Sequence, residues 1–318
     1  MNLIQFIQEF PDEAACRQKF KEERDKIGIT CKRCNCKDHY WLENKSSYEC
    51  KKCHSRTSLR SGTVMENSKL PYRYWLITIH LLTSTKKSFS TEELRRQLGH
   101  KRYQPIWEMV CKLREVMGKR DDKHKLAGQI ELDDAFFTTE VPDDQKDKPL
   151  KRGRGSQGKT KVLVMCESTP VDTPAKGKKT KKAGHLKMKV IPNLKSATIT
   201  PIVKERVDGA SDLTSDDSTS YGDLGQHVST HTSLVVKPEE VEKVLPWVHT
   251  AISNVKRLLL DVHHNKLKPE YLQYYLDEFC YKFNRRFFGE KLFDRLVIAA
   301  VSYPPEFKSK IYNRAYCG

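Results

Sequence analysis

Two Cys-x-x-Cys pairs, Cys31/Cys34 and Cys50/Cys53, stand fifteen residues apart in a short polar stretch. That spacing lets two tight turns converge four thiolates on one tetrahedral Zn²⁺. Such a closed site holds a small module together and leaves no position for a substrate. Disulfides are the competing reading, but nothing else in the chain points to an oxidising compartment. Cys16, Cys36, Cys111, Cys166, Cys280 and Cys317 show no pairing pattern and read as reduced thiols. Cys36 is near enough to compete for zinc, yet it breaks the symmetry of the two knuckles and stands outside the ligand set.

A second group of residues is acidic. Asp133 and Asp134 sit at the end of an alternating segment, QIELDDAFF, and Asp216 and Asp217 end another. A carboxylate set into a sheet is costly unless it is paired or binds a cation. Two strand-end aspartates therefore point to a shared divalent site. Mg²⁺ suits it, because that ion takes carboxylate oxygens and keeps positions open for water and phosphate. Two such ions, Mg²⁺ or Mn²⁺, can activate a nucleophile and stabilise the leaving oxygen of a phosphodiester. The plain alternative is a pair of turn aspartates, which are common at strand ends. Ile130 and Leu132 share one face, Glu131 and Asp133 the other, which favours Asp133 over Asp134. Asp216 closes its strand, and Asp217 reads as the cap of the next helix.

A third ligand is expected from a helix over 246–260. Val248, Ile252, Val255 and Leu259 form its apolar stripe, with Ala251 and Leu258 on one border. His249 and Lys256, seven residues apart, lie together on the opposite border, and Asn254 lies on the Ala251/Leu258 side. An imidazole for metal and an ammonium for phosphate fit that pair. Periodicity leaves Asn254 open.

The elements that must hold these groups follow from the pattern along the chain. Residues 1–22 read as a helix and 26–58 as a ribbon of short strands. From Pro71 the pattern turns helical, through Trp75, Ile77, Ile79, Leu81 and Leu82. Ser90, with Glu93 three residues on, reads as a capping box, and Gly99 ends that helix. A longer helix follows with Ile106, Met109, Val110, Leu113, Val116 and Met117 at helical spacing. Helix, short turn, helix, with Arg95, Arg96, Lys101 and Arg102 about the junction, is the outline of a helix-turn-helix. Plain bundle packing explains the apolar positions equally well. Past 128 the order is three strands, a helix at 196–207, a short strand, a break, a strand around HVSTHTSL and the long helix. That describes a mixed α/β layer. The last fifty residues read as helical and aromatic-rich, and no internal repeat occurs.

The chain has 318 residues, 37% hydrophobic and 31% charged, with a formal charge of +17. This is enough for a real core and suits a binder of polyanions. No apolar run approaches the ~20 residues of a membrane helix. The N-terminus lacks a basic leader pattern, so a soluble, intracellular protein is expected. Residues 146–195 carry 15 Lys and Arg against three acids. Within them KDKPLKRGRGSQGKTK and PAKGKKTKKAG read as loops. Their Lys151, Arg152, Arg154, Lys178, Lys179, Lys181 and Lys182 are candidate phosphate contacts, each releasing counterions from DNA. Solvated, mobile loops are the bland reading.

Taken together, the four cysteines, SLRSGTVMENSKLPYRYW, LRRQLGHKRYQPIWEMVCKLREVMG, IELDDAFF, TSDDSTSYGDL, WVHTAISNVKRLLL and YLDEFCYKFNRRFFGEKLFDRL resemble bacterial insertion-sequence transposases. These have an N-terminal zinc ribbon and a DDE-type catalytic domain, and the resemblance spans nearly the whole chain. It implies a multi-domain α/β protein. An N-terminal helix (1–25), a zinc ribbon (26–60) and a helix-turn-helix-like module (61–125) would precede a ribonuclease-H-like mixed α/β catalytic domain (126–265) and a helical extension (266–318). The first catalytic aspartate would be Asp133, on the first strand, and the second Asp216, after the fourth. Most relatives complete the set with a Glu on the last helix and a Lys seven residues later. Here the step back from Lys256 reaches His249 and no Glu is near. Some branches are similar in using His or Asn there, so His249 is the expected ligand with Asn254 as fallback.

The implied activity is metal-dependent cleavage at the element's ends and strand transfer into target DNA. The implied partners are duplex terminal inverted repeats, target DNA and further copies of the chain in a synaptic complex. The implied place is the bacterial cytoplasm, at the nucleoid. The missing Glu also fits a catalytically decayed, transposase-derived DNA-binding regulator, and sequence does not separate a transposase from a nuclease lacking strand transfer.

Overall fold

The computed structural model describes residues 1–149, 151–172, 180–235, 244–264 and 266–306. The chain forms two compact units, one of Met1–Arg120 with Arg285–Gly318 and one of Asp121–Asn284.

The first unit opens with two helices where one is expected, α1 (Leu3–Glu9) and α2 (Glu13–Ile27). Pro11 interrupts the run, and Asp12 caps α2 by accepting the Ala15 N–H at 2.8 Å. A three-stranded antiparallel sheet follows: β1 (His39–Leu42), β2 (Ser47–Cys50) and β3 (Arg56–Ser58). It docks on α2 through Tyr48, whose hydroxyl donates to Asp25 at 2.6 Å, and through Arg17, which donates to Ser46 at 3.1 Å. Helix α3 (Tyr72–Ser84) starts after Pro71, and the Glu13 carboxylate accepts the N–H groups of Tyr72 and Arg73 at its first turn. Then come α4 (Thr91–Gln97), capped by the Ser90 hydroxyl, and α5 (Tyr103–Asp122). Gly99, with φ +62°, makes the turn between them.

The second unit is built on one five-stranded sheet. Its strands are β4 (Gln129–Thr138), β5 (Lys159–Pro170), β6 (Lys181–Ile191), β7 (Asp212–Asp216) and β8 (Thr230–Leu234), in the order β6-β5-β4-β7-β8. The first three pair antiparallel, while β7 runs parallel to β4 and β8 parallel to β7. This mixed α/β order, 3-2-1-4-5 in sequence terms, agrees with the expected fold class. On one face Ala135, Phe137, Val162 and Val164 pack under α7 (Pro246–His263) and α8 (Leu272–Asn284). On the other face Ile130, Leu132, Leu163 and Met165 pack under α6 (Ser196–Arg206) and the 3-10 turns at Thr219–Gln226. Period-two alternation through β4 and β5 is what lets one sheet carry two cores.

Edge strand β6 is closed off by α8. Gln273 and Asn284, eleven residues or about three turns apart and so on one face of the helix, both reach its backbone. Val190 N–H donates to Gln273 at 2.9 Å and Leu186 N–H to Asn284 at 2.7 Å. Amide side chains thus satisfy backbone groups that would otherwise invite another strand. The helical tail divides between the units: α8 belongs to the sheet, whereas α9 (Lys291–Ser302) packs on α2 and α3. Two bonds tie α9 there, Val64 N–H to Ala300 O at 2.8 Å and Arg24 to Val301 O at 3.1 Å.

Candidate active site and metal centres

The cysteine module is built from two copies of one turn. Asn35 N–H donates to Cys31 O at 2.9 Å, and His54 N–H donates to Cys50 O at 3.0 Å. Asn35 and His54 both adopt φ of 57°, which folds each Cys-x-x-Cys back on itself. The four sulfurs lie within 4.8 Å of one another, with Cys31–Cys53 and Cys34–Cys50 at 3.5 Å. Ligands about 2.3 Å from a central Zn²⁺ stand about 3.8 Å apart in a tetrahedron, so the four sulfurs fit that ion. The N–H groups of Arg33 and Cys34 lower the Cys31 pKa. Burial opposes the same change at Cys50, but the N–H groups of Cys53 and Lys52 bring it to about 6. At Cys34 the Cys36 N–H acts in the same direction, but burial and the three neighbouring sulfurs push the pKa up to about 12, so the amide donors favour thiolate at Cys31 and Cys50 only. Cys36 stays outside, its thiol directed at Asp38 O at 3.8 Å.

Asp133 and Asp134 stand in the middle of β4 rather than at its end. The apolar alternation resumes at Ala135 and Phe137, and β5 pairs with the strand as far as Thr138. The two carboxylates take opposite faces. Asp134 stays in the strand and accepts the Tyr221 hydroxyl at 3.1 Å. Asp133 shares the α7 face with Glu131, and one of its oxygens accepts the Asp134 N–H at 2.7 Å. In the parallel register Leu132 lies opposite Ser215, so Asp133 and Asp216 are the next residues along neighbouring strands. Burial first, then the charges of Asp134, Asp133 and Asp216, raises the Tyr221 pKa. Three carboxylates therefore act on one buried phenol, Asp134 by a direct bond and Asp133 and Asp216 through their charge. Asp217 is no helix cap. It accepts the Ser233 hydroxyl at 2.9 Å, and Ser218 caps the following turn.

Helix α7 brings His249 to Asp133, with its Nε2 3.6 Å from Asp133 Oδ2. Immediately before His249, Glu131 accepts the N–H groups of Trp247 and Val248 at 2.8 and 3.0 Å. A β4 carboxylate thus fixes the N-terminus of the helix that carries His249. Lys256 lies 5.9 Å from the centre of the Phe137 ring. Seven helical residues rise about 10 Å and four strand residues about 13 Å, so α7 runs along β4 with His249 over Asp133 and Lys256 over Phe137. Asn254 is exposed and lies about 140° round the helix from His249.

The candidate phosphate contacts fall into different settings. Arg95 is drawn inward, donating to Glu92 at 2.6 and 2.8 Å and to His100 O at 2.9 Å, so it fastens the α4–α5 turn. Arg96, Lys101 and Arg102 are exposed, as are Lys151 and Arg152. Lys181 and Lys182 open β6 instead of lying in a loop, paired with Pro170 and Thr169. Lys181 is half-buried and donates to Val244 O at 3.3 Å, while Lys182 is exposed. Lys178, Lys179 and the Arg154 side chain lie outside the described residues. Among the described residues no helix is long and apolar enough to cross a membrane.

A family model for the ISXO2-like transposase domain matches residues 125–284, half of the chain and nearly all of the second unit. The chain belongs to the ISXO2-like transposase family. It is thereby an insertion-sequence transposase of the DDE type. No curated protein matches this transposase. A similar solved structure is "Crystal structure of a pre-cleavage Mos1 transpososome", at 12% identity over 74% of this chain and 81% of that one. The TM-score is 0.27, too low to carry an argument. Two positions that sequence reasoning passed over matter to the transposase site. Glu131 was visible as Asp133's face partner in IELDD, but its use as a helix anchor was not. Tyr221 lies in a 3-10 turn, where no periodicity marks it.

Proposed function

We propose that this transposase cleaves DNA at the ends of its element and joins those ends to target DNA, using Asp133, Asp216 and His249 around divalent metal. The observation that carries this reading is the approach of His249 to Asp133 at 3.6 Å, on a helix whose start is anchored by the same strand. Mg²⁺ or Mn²⁺, bound by these three residues, would supply charge for the attacking and leaving oxygens. Asp133 and Asp216 orient oxygen ligands from neighbouring strands. His249 adds a neutral donor, and Lys256 offers a cation to the phosphate backbone further along the helix.

In the first step a water oxygen bonds to phosphorus as the P–O3′ bond breaks, leaving a free 3′-OH and a 5′-phosphate. In the second that 3′-OH attacks a target phosphodiester, so one ester is exchanged for another and no cofactor is consumed. The four-cysteine module, held by one Zn²⁺, and the α4–α5 pair are assigned to end recognition. Lys151, Arg152, Arg154, Lys178, Lys179 and Lys182 are assigned to flanking or target DNA, and synapsis of two ends requires further copies of the chain.

Strand transfer is the test. A duplex ending in a cut inverted repeat is incubated with target plasmid and Mn²⁺, using wild type and Asp133→Ala. Joined products from wild type alone are expected. End binding without joining by either protein would favour a decayed DNA-binding regulator.

A further inference from the structure

We propose that His124, Glu167 and His185 form a second metal site in the catalytic unit, taking one first-row transition cation such as Zn²⁺. Among the described residues, this trio and the four cysteines are the groups whose potential ligand atoms all lie within 4.8 Å of one another. His124 Nε2 is 3.6 Å from one Glu167 oxygen, and His185 Nδ1 is 3.1 Å from the other. The two imidazole rings are 4.0 Å apart, so both bring nitrogens to one carboxylate. Separations of 3–4 Å are those of donors about 2.1 Å from a shared ion.

The carboxylate is held ready. Ala127 N–H donates to one oxygen at 3.0 Å, and His185 N–H donates to the other at 2.7 Å. The β5–β6 pairing shifts register between Cys166 and Ser168, which sets Glu167 apart from the regular ladder. Opposite it, Gly184 leaves the space: a Cβ there would lie 2.3 Å from a Glu167 oxygen and 2.7 Å from its Cβ. Backbone donors of this kind orient a ligating carboxylate in metal sites.

Two nitrogens and one carboxylate oxygen suit zinc and its neighbours rather than Mg²⁺ or Ca²⁺, and three protein ligands leave a fourth position for water. The imidazoles are about half exposed, which gives an ion a route in. Binding requires the His185 tautomer that carries its proton on Nε2, which leaves the Nδ1 lone pair to the cation. Glu167 lies opposite Ile130, three residues before Asp133 and on the other face of the sheet. The ion therefore fastens the segment before β4 to the β5–β6 pair, on the face of the sheet away from Asp133.

The test counts zinc per chain by elemental analysis after equilibrium dialysis against free Zn²⁺. It uses full-length protein with its cysteine site loaded, and Asp133→Ala throughout, to reduce metal binding at the catalytic carboxylates. The parent is compared with His124→Ala and with His124→Ala/His185→Ala. One zinc fewer in the double variant is expected, with at least about a 100-fold loss of affinity for that ion. Cobalt substitution should give the parent alone a nitrogen–oxygen spectrum besides the thiolate one. His124 lies outside every helix and strand, so far-ultraviolet dichroism should be unchanged in its single variant. Equal zinc counts in folded parent and variants would overturn the site and leave an ordinary histidine–glutamate contact.

Discussion

The proposed site of Asp133, Asp216 and His249 would carry one negative charge fewer than a site with three carboxylates, so each ligand would count for more. His249→Ala is expected to lower the single-turnover rate of end cleavage at least about 100-fold. Asn254→Ala should stay within a few-fold of wild type, because Asn254 is exposed on another side of α7. The reverse ranking would move the third ligand to Asn254. Tyr221→Phe tests a neighbouring group. Its hydroxyl is the donor to Asp134, and removing it should cost about 1–3 kcal/mol of unfolding free energy, measurable by urea denaturation. A variant as stable as wild type would mean that the bond contributes nothing.

At the scale of elements, β4 does three things at once. Its odd-numbered face offers Glu131 to the α7 N-terminus and Asp133 to His249, while its even face sends Ile130 and Leu132 into the second core. Much of this was legible in IELDDAFF, because period-two alternation assigns faces without knowledge of the partner. The stripe of Val248, Ile252, Val255 and Leu259 likewise announced the buried face of α7, and the two cysteine pairs announced their module. What alternation could not give was position along the strand. Asp133 and Asp134 read as a strand end, yet the hydroxyl of Tyr221, far along the sequence, donates to Asp134 within the strand. Nor could composition show that Lys181 and Lys182 sit in β6, because strand pairing with Thr169 and Pro170 overrides a local lysine-rich pattern. Gly184→Ala should cost about 1–3 kcal/mol in the same denaturation experiment, since the added methyl meets Glu167 on the neighbouring strand. An unaltered midpoint would show that β6 can yield there. Removing zinc with a chelator, or making Cys31→Ser, should loosen the β1–β3 sheet and weaken end binding, followed by gel shift. End binding at full strength after confirmed metal loss would separate the module from recognition.

For the whole molecule, the chain order places the catalytic unit between two segments that make up the other unit, Met1–Arg120 and Arg285–Gly318. Removing residues 285–318 should therefore lower the stability of the first unit, whose α9 packs on α2 and α3, and spare the second. With a net charge of +17, the proposed DNA binding through Lys and Arg contacts is expected to weaken steeply as salt rises. The double variant Lys151→Ala/Arg152→Ala should reduce the slope of log affinity against log salt by about 2 if both contact phosphate, and an unchanged slope would place DNA elsewhere.

In the proposed reaction Asp133 and Asp216 hold the metal that cleaves DNA. That role is tested most directly by cleavage of supercoiled plasmid carrying the element's own flanking sequence. Wild type, Asp133→Ala and Asp216→Ala would be compared with Mg²⁺ or Mn²⁺ and with chelator. Cuts at the repeat ends are expected from wild type with metal only, and none from either variant although both bind the ends as wild type does. Cleavage by a folded Asp133→Ala protein at the wild-type rate would contradict that role.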